Sequence, residues 1–231
     1  MVHHTGQVAF CCYQPWFPDV NIKNMSKDFV SEIWNGKTAQ DLRRRWNEGR
    51  LQGTACGDCI GLKRFKKFEH PAKDLSDGGN AYVSNANLNV DEFRQGKVIL
   101  DSLPVSTVYI SSVLCNINCI HCFQPPVGKH NESYLESKVL LNFYHALGNR
   151  AVVNLFSGGE PLFLRQTFDM LNEFEPGQKA ASKVIIQTNG LLIKEKFPLL
   201  QGFKEYQFTI SIPAFRKETC EYIQNGTTFE K

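Results

Sequence analysis

The sequence predicts an α/β fold, because strand-like and helix-like segments alternate through its C-terminal half. The chain has 231 residues, of which 42% are hydrophobic and 21% charged, and this is the composition of a globular protein. From Val105 onward, about four short apolar segments are each followed by a segment of helical periodicity. Successive β/α units imply parallel strands with right-handed crossovers, so we expect functional loops after the strand C-termini.

The N-terminal half predicts a small cysteine-containing α+β domain over residues 1–69. Residues 7–13 alternate as in a short strand. Two helices are expected next, the first capped by Ser26 and ended by Gly36, and the second ended by Gly49.

Residues 70–104 predict a linker, because Pro, Gly, Asn, Asp and Ser are frequent there and periodicity is weak. Residues 105–231 then form the α/β domain. Its predicted strands cover residues 107–111, 151–156, 184–187 and 206–212, and its predicted helices cover 131–147, 165–174, 193–200 and 217–224.

Eight cysteines are the most informative residues, and seven of them fall into tight groups. Clustered cysteines in a chain without a secretory signal favour metal or redox sites over disulfides. The groups are Cys11 with Cys12, Cys56 with Cys59, and Cys115 with Cys119 and Cys122, whereas Cys220 stands alone and is interpreted as a core residue.

The third group has the spacing C-x3-C-x2-C, and three thiolates suit zinc or an iron–sulfur cluster. A closed zinc site needs a fourth ligand, and the nearby candidate His121 is adjacent to Cys122, so both side chains would hardly reach one ion. An incomplete ligand set instead favours a cluster with one open iron.

The segment Cys115-Asn-Ile-Asn-Cys119-Ile-His-Cys122 resembles the cluster motif of the radical S-adenosylmethionine (radical SAM) superfamily. Downstream, Ser157-Gly-Gly-Glu-Pro161 follows a predicted strand and resembles the second-strand motif of that family. Thr188-Asn-Gly190 follows the next strand, and Ser211 lies at the end of the fourth, as in the family.

The resemblance implies a partial (β/α) barrel and a 4Fe-4S cluster held by the three cysteines, with S-adenosylmethionine (SAM) on the fourth iron. Reductive cleavage of SAM, with an electron from a reducing donor, gives a 5′-deoxyadenosyl radical that abstracts hydrogen from a substrate. The resemblance names no catalytic side chain, and the residues that it implies for SAM binding are Gly158, Gly159, Glu160, Asn189 and Ser211.

This sequence departs from the family pattern in two places. Pro213 and Gln224 stand where relatives often have Asp and Arg. The family barrel usually has six β/α units, whereas about four are predicted here, so the core is expected to be truncated. Strand 206–212 is then expected near an open edge, through which the chain could self-associate.

The N-terminal half resembles a SPASM-type auxiliary cluster domain, through Phe10-Cys11-Cys12-Tyr-Gln-Pro-Trp, Glu32-Ile-Trp-Asn-Gly and Cys56-Gly-Asp-Cys59. The resemblance implies a second iron–sulfur cluster with ligands from Cys11, Cys12, Cys56 and Cys59, and a peptide or protein substrate. A zinc or rubredoxin-like C-x-x-C pair is the alternative.

The remaining features exclude some classes of function. No apolar run approaches the roughly 18 residues of a membrane span, and no secretory signal is predicted, so the expected location is the cytoplasm. The net charge of +3 gives little support for nucleic acid.

Two functional hypotheses of different class therefore stand beside each other. One is a radical SAM enzyme acting on a peptide or protein, with a weaker variant that modifies RNA through the basic segment 37–67. The other is a non-catalytic module that keeps a cluster or zinc for structure or electron transfer.

Overall fold

The structure is a computed structural model that describes residues 1–11, 22–24, 29–59, 81–122, 134–147 and 150–229. Its strands are β1 Val2–His3, β2 Ser106–Ile110, β3 Asn118–Cys119, β4 Val153–Phe156, β5 Lys183–Thr188, β6 Glu205–Ile210 and β7 Gln224–Asn225. Its α-helices are Phe29–Trp34, Lys37–Asn47, Ala81–Arg94, Ser137–Ala146, Arg165–Glu173, Pro176–Ala181, Ile193–Lys196 and Lys217–Ile223. Short 3-10 helices cover Ile22–Asn24, Pro161–Phe163 and Phe197–Leu200.

Five strands form one parallel sheet in the order β1-β2-β4-β5-β6. In β5, the side chains of Val184, Ile186 and Thr188 are buried, whereas Gln187 between them is exposed. This alternation, with β-branched residues on the buried face, is what a strand covered by helices requires. The predicted α/β class and the parallel strands are therefore confirmed.

The main core lies between the sheet and the helices that follow its strands. Tyr109 of β2 stacks on Phe156 of β4, with ring centroids 5.1 Å apart. Tyr144, Leu171 and Phe174 from the crossover helices are buried in the same cluster. This core fixes the strands, and the loops at the C-terminal ends of parallel strands are where such sheets form sites.

Two short strands stand outside this sheet. β3 pairs antiparallel with β7, with Asn118 opposite Asn225 and Cys119 opposite Gln224. The ribbon joins the loop after β2 to the end of the helix Lys217–Ile223, although about 100 residues separate them.

The prediction of a strand over residues 7–13 is wrong for the described part of that range. The strand is β1, which pairs with β2 at Val2↔Tyr109 and His3↔Ile110. Val8 makes only an isolated antiparallel bridge to Val2, and residues 12 and 13 lie outside the described residues. The fifth strand of the sheet therefore comes from the N-terminal half of the chain.

The two helices predicted next are present, as Phe29–Trp34 and Lys37–Asn47. Gly49 has φ +68 just after the second helix, a conformation that favours glycine at a helix end. Side chains from this region bond to the backbone of residues 96–102. Asn35 and Leu100 exchange two hydrogen bonds, Asn35 Nδ2 to Leu100 O at 2.8 Å and Leu100 N to Asn35 Oδ1 at 2.9 Å. Trp34 Nε1 donates to Ser102 O at 2.8 Å.

The predicted linker contains a 14-residue helix, Ala81–Arg94. Its Val83, Ala86 and Val90 are buried against Val105 and Val152 of the α/β region. Residues 81–94 therefore form a packed helix, which their weak periodicity does not predict, whereas the division into domains and linker stays a prediction.

Glu92 fastens this helix to the segment that leads into β2. Its side chain is 1% exposed and accepts hydrogen bonds from Asp101 N at 2.7 Å and from Ser102 N and Oγ at 3.2 and 2.6 Å. Burial opposes ionisation of this carboxyl, but these hydrogen bonds and that of Lys97 outweigh it and lower its pKa.

Most other predicted elements are present with shifted ends. The helix predicted over 131–147 covers Ser137–Ala146, and residue 131 lies outside the described residues. The helix Pro176–Ala181 was not predicted. β6 is at one edge of the sheet and most of its side chains are exposed. In the described ranges, no helix combines the length and the hydropathy that a membrane crossing requires.

Candidate functional site

A cavity of about 960 Å³ opens at the C-terminal ends of the strands. Loops that follow β2, β4, β5 and β6 line it, so it is in the position that parallel α/β sheets use for ligands. The predicted site residues among its lining are Cys115, Cys119, Cys122, Gly158, Gly159, Glu160, Asn189 and Ser211. The structure thus brings together all the residues predicted for the cluster and SAM in the C-terminal half.

The loop after β2 carries Cys115, Cys119 and Cys122 and is called the cysteine loop here. The β3–β7 ribbon holds it in place. Ile120 N donates to Ile223 O at 2.9 Å, and Cys122 N donates to Cys119 O at 3.1 Å. Gln224 is buried, and its Nε2 donates to Ser211 O at 2.9 Å. Gln224, one of the two departures from the family pattern, therefore connects the ribbon to the loop after β6.

The three thiols differ in exposure, since Cys115 and Cys119 are half-buried and Cys122 is exposed. Burial raises the pKa of Cys115, while N–H groups of Ile117, Asn116 and Asn189 oppose that rise. Burial also raises the pKa of Cys119, and the neighbouring thiols of Cys115, Cys122 and Cys220 add to it. Both thiols are therefore neutral at physiological pH without a metal, and metal binding would release their protons.

Gly158 and Gly159 let the strand-end loop approach the cysteine loop closely. Both have positive φ, +82 and +54. A Cβ on Gly159 would lie 2.0 Å from Leu114 O, and one on Gly158 would lie 2.5 Å from a methyl group of Ile110. Only glycine fits at these positions, because the two loops pack together there, and the predicted contact of both glycines with SAM stays a prediction.

Glu160 is 1% exposed and ties the loop after β4 to the loop after β5. Its Oε1 accepts from Leu162 N at 3.0 Å and from Thr188 Oγ1 at 2.7 Å, and its Oε2 accepts from Asn189 N at 2.8 Å. Burial raises its pKa, against these hydrogen bonds. The carboxylate is therefore already occupied by protein donors, and a contact to the SAM ammonium stays a prediction.

Two histidines that the sequence did not single out line the same cavity. His3 and His4 are on and beside β1, with ring centroids 4.0 Å apart. Burial lowers the pKa of His4 to about 4, with added repulsion from His3 and Lys23, and burial lowers that of His3. The pair is therefore neutral at pH 7. No spacing in the sequence predicts that the two histidines line the cavity, because the long-range pairing of β1 with β2 brings them there.

The N-terminal cysteines lie elsewhere. Cys11 is exposed, and Cys56 and Cys59 are part of a turn in which Cys59 N donates to Cys56 O at 3.3 Å. None of these three lines the cavity, and Cys12 lies outside the described residues. Throughout the described segments, no three His, Cys, Asp or Glu side chains are grouped so as to hold a single metal ion, and this includes Cys115, Cys119 and Cys122. The second cluster site stays a prediction, and so does the arrangement of the triplet around one cluster.

Comparison with protein families agrees with this geometry. The model of the radical SAM superfamily matches residues 109–231, which is more than half of the chain. The chain belongs to the radical SAM superfamily. Residues 1–60 match the model of SPASM, an iron-sulfur cluster-binding domain. Proteins with these two domains bind 4Fe-4S clusters, and radical SAM proteins use SAM. The three thiols that line the cavity fit an iron–sulfur cluster by their donor chemistry, since cysteine thiolates are the ligands of such clusters.

Solved structures give a more distant likeness. Crystal structures of Streptococcus suis SuiB match with 18% identity and a TM-score of 0.43 when bound to the precursor peptide SuiA, and with 17% and 0.40 when bound to S-adenosylmethionine. Each match covers 91% of this radical SAM chain and 47% of SuiB, so the chain spans about half the length of these relatives. A search of curated proteins finds no match.

Proposed function

We propose that this chain is a radical SAM enzyme that abstracts hydrogen from a peptide or protein substrate. The observation that carries the proposal is the shared cavity, which Cys115, Cys119 and Cys122 line together with the glycines and the carboxylate of the motif after β4. When bound there, the cluster and SAM supply a 5′-deoxyadenosyl radical for that abstraction.

The residues of the chain itself would position the cluster and SAM and would shield them from water. The three cysteines would ligate the cluster and leave one iron open for SAM. Gly158 and Gly159 would let SAM approach the backbone, and Asn189 and Ser211 would contact it from the loops after β5 and β6. Beside these loops, the buried apolar side chains of Val113 and Ile117 line the cavity, and they would help to keep water from a reactive intermediate.

A peptide or protein substrate is supported by the SPASM match over residues 1–60, because such domains accompany modification of peptides and proteins. Cys11, Cys12, Cys56 and Cys59 would provide ligands to a second cluster in that segment.

Anaerobic reconstitution with iron and sulfide, followed by an assay for 5′-deoxyadenosine with SAM and dithionite, tests the activity. We expect about eight irons for two clusters. Replacing Cys115, Cys119 and Cys122 by Ala should remove about four irons and abolish 5′-deoxyadenosine formation. Cys220→Ala is the matched control, because it removes a neighbouring thiol outside the motif. This variant should keep the full iron content and the formation of 5′-deoxyadenosine.

The result against the proposal would be stoichiometric zinc without iron–sulfide absorption after anaerobic preparation. The substrate class needs a separate test. Peptides from a digest of deuterium-grown cells should transfer deuterium to 5′-deoxyadenosine, whereas an RNA hydrolysate from the same cells should not. Transfer from the RNA alone would contradict the peptide assignment.

A further inference from the structure

We propose that Asn189 is a positioning residue that donates a hydrogen bond to the Cys115 sulfur and raises the reduction potential of the cluster. This inference rests on the proposed function, since it concerns the cluster on Cys115, Cys119 and Cys122.

The amide of Asn189 points at the cysteine loop. Its Nδ2 lies 2.8 Å from Asn116 Oδ1 and 3.9 Å from Cys115 Sγ, which is within hydrogen-bonding range for the larger sulfur atom. Its Oδ1 accepts from Leu191 N at 3.1 Å. Because a backbone N–H fixes the oxygen on that side, the NH₂ group must face Asn116 and Cys115.

Hydrogen bonds to Glu160 and Thr188 fix the backbone at Asn189 and Gly190. Its N–H donates to Glu160 Oε2 at 2.8 Å, and the adjacent Gly190 N donates to Thr188 Oγ1 at 3.0 Å. Thr188 in turn donates to the same carboxylate. With the backbone and the amide oxygen both held, the donor cannot turn away from Cys115 without breaking these bonds. This also gives the buried Glu160 a function that needs no direct contact with SAM.

Cys115 is distinguished from its neighbour Cys119 by these donors. Burial raises the pKa of both thiols, and the Glu160 charge adds to it at Cys115, but only the Cys115 sulfur also has N–H donors, from Ile117, Asn116 and Asn189, whereas other thiols act on Cys119. Two of the three donors on Cys115 are backbone groups that every residue type would provide. Asn189 is therefore the donor that the sequence specifies and that a substitution can remove.

The expected effect follows from charge. Reduction of an iron–sulfur cluster places more negative charge on its sulfurs, so a hydrogen-bond donor stabilises the reduced state more than the oxidised state. Hydrogen bonds to ligand sulfurs are one of the means by which proteins set cluster potentials. Removing the donor should therefore make the cluster harder to reduce.

The experiment uses the full chain with Cys56 and Cys59 replaced by Ser, so that the cluster on the triplet is the one observed. The variants are Asn189→Ala, which removes the donor, and Asn189→Asp, which keeps the oxygen for Leu191 N but has no NH₂ group. Gln187→Ala is the matched control, because Gln187 lines the same cavity and bonds to Ser157 Oγ at 2.7 Å. The measurement is a dye-mediated potentiometric titration without SAM, followed by electron paramagnetic resonance.

For Asn189→Ala we expect the reduced-to-oxidised ratio at a fixed potential to fall about tenfold, or about 59 mV for a one-electron couple. Asn189→Asp should shift further in the same direction because it adds a negative charge, and Gln187→Ala should match the parent. Equal reduction potentials in the parent and in both Asn189 variants would overturn this inference but not the proposed function. So would loss of the cluster from both variants with retention in Gln187→Ala, since Asn189 would then be structural. A parent without any cluster would overturn the proposed function as well.

Discussion

Gly159→Ala is a substitution for which the structure predicts a large local effect at the candidate site. The new Cβ would lie 2.0 Å from Leu114 O, 2.8 Å from Leu114 C and 2.9 Å from Leu114 N. All three are backbone atoms, so no side chain can rotate out of the way. Glu160 N donates to the same carbonyl at 2.8 Å, and the displacement would break this bond beside Cys115.

The cost has two parts. Overpacking of this kind costs about 1–3 kcal/mol, and alanine at φ +54 adds about 1–2 kcal/mol. Gly202→Ala isolates the second part, because Gly202 has φ +88 and its Cβ would meet Lys179 Cδ at an ordinary 3.6 Å. Both substitutions lower the entropy of the unfolded chain equally, so their difference reports the clash.

Urea denaturation of both variants and the parent measures the free energy of unfolding. We expect Gly159→Ala to lose about 2–5 kcal/mol and Gly202→Ala about 1–2 kcal/mol. Iron content after anaerobic reconstitution should fall in Gly159→Ala and stay at the parent level in Gly202→Ala, because the first displaces the segment next to Cys115. Equal destabilisation by the two substitutions would refute the argument from the Leu114 carbonyl.

Three further predictions follow from hydrogen bonds to buried or half-buried groups. Thr188→Val removes one donor from the buried Glu160 carboxylate and should lower the free energy of unfolding in urea by about 1–3 kcal/mol; no loss would mean that water replaces the hydroxyl. Glu92→Gln should destabilise most near pH 7, because the lowered pKa of Glu92 contributes stability above the unfolded-state value of about 4.3 and loses it as the pH falls through the folded pKa. Urea midpoints of that variant and the parent should therefore converge below about pH 4, and a constant difference would contradict the assignment. Asn35→Ala should speed hydrogen exchange at the Leu100 amide, measured by mass spectrometry, because that N–H loses its acceptor; unchanged exchange would show that the bond is not protective.

The local motifs could be located from the sequence because each is complete within a few residues. The C-x3-C-x2-C spacing and the Gly-Gly-Glu segment carry their chemistry in adjacent positions, and the strand order only has to bring the loops to one edge. The role of Asn189 is less evident from the sequence, since Asn-Gly is a common turn. Its amide contact with Asn116 spans 73 positions, which no local pattern records.

The helix Ala81–Arg94 was missed for a related reason. Its asparagines are typical of a linker, yet they bond to the segment that follows the helix. Asn85 exchanges two hydrogen bonds with the backbone of Leu103, and Asn89 donates to Ser102 Oγ at 2.7 Å. Tertiary hydrogen bonds thus outweigh a poor helix propensity, and composition alone cannot show this.

The pairing of β1 with β2 also sets an order of assembly. Ribosomal synthesis proceeds from the N-terminus, so Val2 leaves the ribosome long before its partner Tyr109. β1 must therefore wait for its partner in the sheet while about a hundred residues are added, and contacts of such sequence separation form slowly. During that interval His3 and His4 have no cavity to line. The wall of the cavity that they form is complete only after β2 has been synthesised and the chain has folded back on its own beginning.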